Sequence, residues 1–261
     1  MKERKAFQEL VDRFCTCESV EAIGLGGSRA TGKADESSDY DLYVYLTGKT
    51  SRVRREAIFA GLFRVMEYDN MFWEQEDDGI FMDGTPIDIL YRRIDDLEQS
   101  LRHVVIDHQA QNAYTTCLWN NLLNTKILFD RDGRLAALRE KYTMPYPARL
   151  KEHIVRRQMA LLFDGLPNYA NQLKKAIARN DVPAMNHRAA AFVESYFDLL
   201  FGFNETTHPG EKRMLREAKT LPVVPESFEA DIESLFSNLF TDSEAAIADL
   251  ERIERRIKAI V

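Results

Sequence analysis

A chain of 261 residues, 45% hydrophobic and 30% charged, is long enough for one large or two modest domains with a buried core. Its formal net charge of −7 argues against a function in binding long nucleic acid, because proteins with that function usually carry a basic excess. The start is not an apolar leader, no run of about eighteen apolar residues predicts a membrane span, and three cysteines suggest no disulfide framework. These features predict a cytoplasmic protein.

Apolar spacing and turn residues predict four elements in the first third of the chain. They are a helix at 1–18, strands at 22–26 and 39–46, and a helix from Ser51 to about 62. Asp83-Gly84 predicts a hairpin turn before a strand at 86–91, and the acidic run at 74–78 predicts an exposed hairpin. Strands mixed with helices in this order indicate a mixed sheet of about five strands with helices packed on one face.

The remaining sequence is almost wholly helical, beginning with predicted helices at 101–107 and 116–129. Pro145 and Pro147 break both helix and sheet, and they divide the chain into predicted domains at 1–144 and 145–261. Further helices are predicted at 148–163, 168–180, 183–202, 210–219, 226–240 and 242–259. We therefore expect an α+β fold, with a mixed-sheet domain followed by an all-α helical bundle.

A small-residue turn at 26–32 is followed by a segment that contains two carboxylates, Asp39 and Asp41. In a strand, residues two positions apart share a face, so these like charges would repel each other. A divalent cation removes the conflict, and Mg²⁺ prefers such hard oxygen ligands. Asp88 is a lone carboxylate in an apolar alternation, and sharing the same metal would account for it.

Gly27-Ser28, ten further residues, and then Asp39-Tyr40-Asp41-Leu42 resemble the signature of the DNA polymerase β-type nucleotidyltransferase superfamily. Size and layout are most similar to its small-molecule branch, typified by aminoglycoside and lincosamide nucleotidyltransferases. The resemblance implies that Asp39, Asp41 and Asp88 are the acidic residues that hold Mg²⁺, with two ions expected. Asp88 is either the third ligand or the general base, and the sequence leaves both open.

The resemblance also implies that Gly27, Ser28 and Arg29 bind the phosphates of a nucleoside triphosphate, although Arg29 could instead face solvent. Lys212, in the later helical part, could reach the triphosphate or be a solvated residue at a helix entrance. The implied reaction moves a nucleoside monophosphate, AMP from ATP first of all, to a hydroxyl of a small molecule such as an antibiotic. The implied partners are the triphosphate and this acceptor, without long nucleic acid or membrane.

Two alternatives remain open at this stage. The acceptor could be a protein side chain, as in nucleotidylating antitoxins, although these tend to be short and to lack a long helical tail. The chain could also be a nucleotide-binding or partner-binding module with a retired site, against which the three retained aspartates speak. An apolar stripe could serve a homodimer or the core of the bundle; its residues are Phe192, Tyr196, Phe197 and Leu200.

Overall fold

The computed structural model describes residues 5–35 and 38–261 and confirms the α+β fold. The chain divides into two compact units. Unit 1 comprises the described residues up to Leu101 together with Asn121–Met144, and unit 2 comprises Arg102–Asn120 and Pro145–Val261. The predicted domain boundary after Met144 coincides with a boundary between the two units. The predicted first domain, however, also contains residues 102–120, which belong to unit 2. The division into two domains stays a prediction.

Unit 1 is built on a mixed sheet. Its described strands are β1 Val20–Leu25, β2 Tyr40–Leu46, β3 Phe63–Asn70, β4 Glu76–Phe81, β5 Pro86–Arg92 and β6 Lys126–Asp130. The strand order is β3-β4-β5-β2-β1-β6, in which β2 and β5 are parallel and the other neighbours are antiparallel. The helices are α1 Lys5–Cys15, α2 Gly27–Ala30, α3 Arg52–Phe59, α4 Ile94–Leu101 and α6 Arg134–Tyr142, while α5 Cys117–Asn124 spans the boundary between the units.

Side chains of β2 alternate between the two faces of the sheet. Leu42 and Val44 belong to a core cluster that also contains residues of α1 and α3, whereas Tyr43 and Tyr45 lie on the other face. The predicted helix from Ser51 is confirmed as α3, which Ser51 caps: its side chain accepts a hydrogen bond from a backbone N–H of the first turn. The first four residues of the helix predicted at 1–18 lie outside the described residues.

Two predictions for unit 1 are wrong. The segment predicted as one helix at 116–129 contains α5 and then β6, because Lys126–Asp130 pairs with β1 at the edge of the sheet. A run of five residues is too short for periodicity to separate strand from helix. The acidic run at 74–78 is not an exposed hairpin, since β4 begins at Glu76 and Asp77 is fully buried.

Unit 2 confirms the predicted helices with small shifts of their ends. They are α7 Ala148–Met159, continued by a π-helical turn at Ala160–Asp164, then α8 Tyr169–Ala178, α9 Val182–Phe203, α10 Met214–Ala218, α11 Phe228–Asn238 and α12 Ser243–Lys258. The apolar stripe of α9 is buried in the core of this unit, so core packing accounts for it. Among the described residues, no helix combines the length and apolar character that crossing a membrane requires.

Candidate active site

The turn after β1 brings two glycines against β2. The N–H of Gly26 donates to the carbonyl oxygen of Asp41 at 2.8 Å, and a Cβ at Gly26 would lie 2.4 Å from the hydroxyl oxygen of Tyr43. Gly27 has a φ of +60°, and a Cβ there would lie 1.7 Å from a carboxylate oxygen of Asp41. Because only glycine fits this backbone and this space, the predicted Gly27-Ser28 turn packs directly on the strand that carries Asp41.

Strand register brings two of the predicted aspartates together. Asp41 and Asp88 are partners on the parallel strands β2 and β5, so their side chains leave the same face of the sheet from backbones about 4.8 Å apart. Asp39 lies one residue before β2, and its charge acts on Asp88. All three side chains are partly exposed.

The line of carboxylates continues beyond the predicted aspartates. Asp88 pairs in register with Asp78 on β4, and Asp78 pairs with Glu67 on β3. We call Asp41, Asp88, Asp78 and Glu67 the acidic row; it crosses four adjacent strands on one face. Strand pairing alone creates this alignment, so no local sequence pattern could reveal it.

The carboxylates of this face repel one another. Burial, followed by the charges of Asp78, Asp39 and Asp41, raises the pKa of Asp88 to about 6. Burial and the charge of Asp78 also raise the pKa of Glu76, which lies two residues before Asp78 on β4. The main electrostatic influences on Asp88 are therefore all negative, and a bound cation would relieve them.

This face fits a magnesium ion by its chemistry. Among the described residues, no group of three or more His, Cys, Asp or Glu side chains is arranged to hold a metal by itself. Mg²⁺, however, is usually held by one or two carboxylates together with water and substrate phosphates. Asp41 and Asp88, as register partners, can meet that need, and the raised pKa of Asp88 indicates uncompensated negative charge.

Arg29 contacts the backbone that leads into β2. Its Nε donates to the carbonyl oxygen of Asp39 at 2.8 Å, and a terminal nitrogen donates to the carbonyl oxygen of Ser38. The guanidinium carbon lies 4.0 Å from the centroid of the Tyr40 ring. Arg29 therefore positions the segment that carries Asp39, and its predicted contact with phosphate stays a prediction.

A second arginine organises the same face further along the strands. The guanidinium of Arg92 lies 4.2 Å from the centroid of the Tyr43 ring and donates two hydrogen bonds to Glu74, at 2.7 and 2.6 Å. Tyr43 in turn accepts a hydrogen bond from Asn121 at 2.8 Å. These contacts connect the loop before β4 to the strand that carries Asp41.

A buried ion pair that sequence reasoning missed supports β4 from behind. Arg55 of α3 donates to Asp77 at 3.1 Å, and both side chains are almost completely buried. Tyr91 donates its hydroxyl proton to the other oxygen of Asp77 at 2.7 Å. Asp77 points away from the acidic row because it alternates with Glu76 and Asp78, so the pair fixes the strand whose opposite face carries them.

Two predicted phosphate contacts lie in different units. Ser28 is half-buried in α2, next to Gly27 in unit 1. Lys212 is exposed in the turn before α10 in unit 2. Their roles in binding the triphosphate stay predictions.

Family comparisons divide the chain into two parts. A family model described as "Nucleotidyltransferase domain" matches residues 7–109, which include Gly27, Asp39, Asp41 and Asp88. A second model, described as "Domain of unknown function (DUF4037)", matches residues 112–214. None of the curated proteins compared with the chain matches it.

Several solved structures resemble the chain at low identity. A nucleotidyltransferase-like protein from Exiguobacterium sibiricum 255-15 is 11% identical, with a TM-score of 0.43, over 96% of this chain and 74% of its own. An aminoglycoside 6-adenyltransferase from Bacillus subtilis is 11% identical, with a TM-score of 0.31, over 98% of this chain and 91% of its own. A CCA-adding enzyme from Thermotoga maritima, complexed with tRNA, is 13% identical, with a TM-score of 0.29, over 98% and 84%. At such values none of the three indicates an acceptor for this chain.

Proposed function

We propose that the protein is a nucleotidyltransferase, because residues 7–109 match the nucleotidyltransferase domain model, and that it moves AMP from ATP to a hydroxyl of a small molecule. The observation that carries this proposal is the alignment of Asp41 with Asp88, directly beside the Gly27 turn. This arrangement places carboxylates for a metal next to a backbone turn that can approach phosphate closely.

In the proposed reaction, the acceptor's hydroxyl oxygen forms a bond to the α-phosphorus. The bond from that phosphorus to the bridging oxygen of the β-phosphate breaks, and pyrophosphate leaves with the electron pair. Asp39 and Asp41 would hold Mg²⁺, two ions in this proposal, which would supply charge neutralisation for the triphosphate and a lower pKa for the attacking hydroxyl.

Asp88 either completes the metal site or takes the proton of the hydroxyl. A carboxylate is a competent general base when its pKa is raised towards neutrality, and the pKa of Asp88 is about 6 in the metal-free protein. Gly27 and Ser28 would bind the phosphates through backbone N–H groups and the hydroxyl, with Arg29 and Lys212 adding positive charge.

Charge supports a small acceptor and not long nucleic acid. The chain carries a formal net charge of −7, and the acidic row lies on the face where the acceptor must bind. A polyanionic backbone would be repelled from this face, whereas a small neutral or cationic molecule would not. An antibiotic is one acceptor of this kind. The free cysteines are consistent with a reaction in the cytoplasm, which is part of this proposal.

Calorimetry tests the proposal directly. ATP, GTP, CTP and UTP are titrated with and without Mg²⁺ into the wild type and into Asp41→Asn. We expect Mg²⁺-dependent binding, tightest for ATP, that is lost in the variant. A folded wild type that binds none of the four nucleotides would instead favour a retired site, and tighter binding of another nucleotide would change the donor.

A further inference from the structure

Three consecutive large apolar side chains are exposed in the loop between β3 and β4. Met71 is 69% exposed, Phe72 78% and Trp73 88%, and we call these three residues the aromatic lip. Side chains of this kind are normally buried, and a contiguous exposed apolar patch marks a binding surface more often than a structural one. Nothing in the packing of unit 1 accounts for their exposure.

The lip is held at both of its ends. Asn70, the last residue of β3, pairs in register with Glu76, the first residue of β4. Glu74, which directly follows the lip, is fixed by its two hydrogen bonds to Arg92. The lip is therefore a short loop whose two ends are fixed by strand pairing and by hydrogen bonds. Arg92, which fixes one end, also stacks on Tyr43 of the strand that carries Asp41.

The base of the lip lies within a small molecule's length of the acidic row. Glu76, at the base of the loop, is two residues from Asp78, a distance of about 7 Å along a strand. Asp78 is the register partner of Asp88 on the neighbouring strand, about 4.8 Å away. A ligand of roughly 8–10 Å can therefore reach from Glu76, at the base of the lip, to Asp88 across Asp78.

The order of the Gly27 turn and the acidic row across the sheet indicates where the triphosphate and the acceptor would bind. Gly27 contacts Asp41, and Asp88 and Asp78 follow in that order away from the turn. If the phosphates bind at Gly27, the leaving pyrophosphate lies on that side of Asp88. In-line displacement then requires the attacking hydroxyl to approach from the opposite side, where Asp78 and the lip lie.

We propose that the acceptor carries a flat unsaturated ring and a positive charge, with the ring stacked on Phe72 and Trp73 and the charge facing Glu76 and Asp78. This inference rests on the proposed function, whose acceptor it specifies. Aromatic side chains stack on planar rings at little entropic cost. The carboxylates of the acidic row provide the complementary charge, since their mutual repulsion is relieved by any bound cation.

Two amino alcohols and one simple alcohol test the ring and the positive charge separately. 2-Amino-1-phenylethanol carries ring, charge and hydroxyl; 1-phenylethanol lacks the charge; 1-amino-2-propanol lacks the ring. Each is titrated into the wild type with ATP and Mg²⁺ present. Binding is followed by tryptophan fluorescence. The chain has two tryptophans, and a ligand on the lip would contact the exposed Trp73 and not the buried Trp119, so a change in emission reports on Trp73. We expect 2-amino-1-phenylethanol to bind at least about tenfold more tightly than either of the others.

The double variant Phe72→Ala/Trp73→Ala is expected to weaken binding of this probe, followed by calorimetry, about tenfold or more while leaving the affinity for ATP unchanged. Phe236→Ala/Phe240→Ala removes two phenylalanines of unit 2 that are about half exposed, and it serves as the control with unchanged binding. Equal affinity for the three probes, or unchanged probe affinity in the lip variant, would overturn the proposal.

Other occupants of the lip give different results. A loss of ATP affinity in the lip variant means that the lip holds the nucleobase, and a wild-type dimer that the variant converts to monomer means that it holds a second copy. Either result overturns the proposal. ATP binding that is intact while the probe fails rejects the lip alone, whereas loss of all nucleotide binding in the wild type rejects the proposed function.

Discussion

Gly27 and Asp41 are in such close contact that a Cβ on the glycine would lie 1.7 Å from a carboxylate oxygen of the aspartate. The backbone of Gly27 also has a φ of +60°, a value that residues with a side chain rarely adopt. The turn and the acidic strand are therefore fitted to each other, and any residue larger than glycine must displace the carboxylate proposed to hold the metal.

Gly27→Ala is expected to reduce turnover by at least about 100-fold, since displacement of about 1 Å at a reacting group can cost that much. Gly32→Ala is the matched control, because Gly32 has a φ of +72° but open space around its Cα. Both variants lose about 1 kcal/mol of stability to backbone strain. Equal activity in the two variants, measured by pyrophosphate release, would contradict a functional role for the contact.

Replacing Asp39 or Asp41 by asparagine is expected to abolish Mg²⁺-dependent turnover while leaving the fold intact. An amide keeps the size of the side chain but loses the negative charge that a hard cation requires. Pyrophosphate release and circular dichroism, measured on the same samples, separate activity from folding. Full activity in either variant would refute the metal assignment of that residue.

Asp88→Asn is expected to stabilise the metal-free protein while lowering its activity. The pKa of Asp88 is about 6, above the ordinary value, so its ionisation opposes folding as the pH rises from about 4 to 6. At pH 7 the variant should gain about 1–2 kcal/mol of unfolding free energy, allowing for partial solvent screening. The gain should vanish below pH 4, where both forms are neutral. Urea unfolding at several pH values measures this, and a gain independent of pH would contradict it.

His208 is expected to destabilise the protein in mild acid. Burial lowers its pKa to about 4, and its Nδ1 accepts a hydrogen bond from the N–H of Gly210. The unfolded chain therefore binds more protons than the folded one, and stability falls as the pH drops from about 6.5 towards 4. The loss due to His208 should reach about 2 kcal/mol at pH 5.

His208→Gln keeps an acceptor for Gly210 without a titrating group, so it should flatten the pH dependence of unfolding by this amount. His187→Gln changes an exposed histidine on α9 and should leave the dependence unaltered. Thermal or urea unfolding at pH 5 and pH 7.5 makes the comparison. Identical slopes in the wild type and His208→Gln would refute the prediction.

Arg55→Met is expected to lower the unfolding free energy by about 3–5 kcal/mol, because it leaves the buried carboxylate of Asp77 without its cation. Arg54→Met changes the exposed neighbour and should cost less than about 0.5 kcal/mol. Chemical denaturation of both variants gives the two values. A loss of similar size in both would show that the ion pair does not stabilise β4.

Local sequence patterns were sufficient for most of the elements. Alternation identified β2, the turn at Gly84 identified the hairpin of β4 and β5, and spacing identified the helices of unit 2. The pattern failed for β6, since Lys126–Asp130 becomes a strand only by pairing with β1, about a hundred residues earlier in the chain. Information of that kind is not contained in a short window of sequence.

The candidate site divides in the same way. Gly27, Asp39 and Asp41 lie close together in the sequence, so the sequence alone reveals their motif. Asp78 joins Asp88 only through strand register, and Asp77 meets Arg55 across 22 positions of the chain. Exposure of the aromatic lip was equally hidden, because aromatic residues beside strands are usually part of a core.

The position of β6 has consequences for truncated fragments of the protein and for its folding during synthesis. The chain leaves unit 1 after Leu101 and returns at Asn121, and only then can β6 cover the edge of β1. A fragment that stops at residue 109 would expose the backbone hydrogen-bonding groups of β1, an open edge that invites aggregation. During synthesis, the sheet likewise stays incomplete until β6, which follows residues 102–120 of unit 2, has left the ribosome. We expect a soluble, isolated nucleotidyltransferase unit to require residues up to 144.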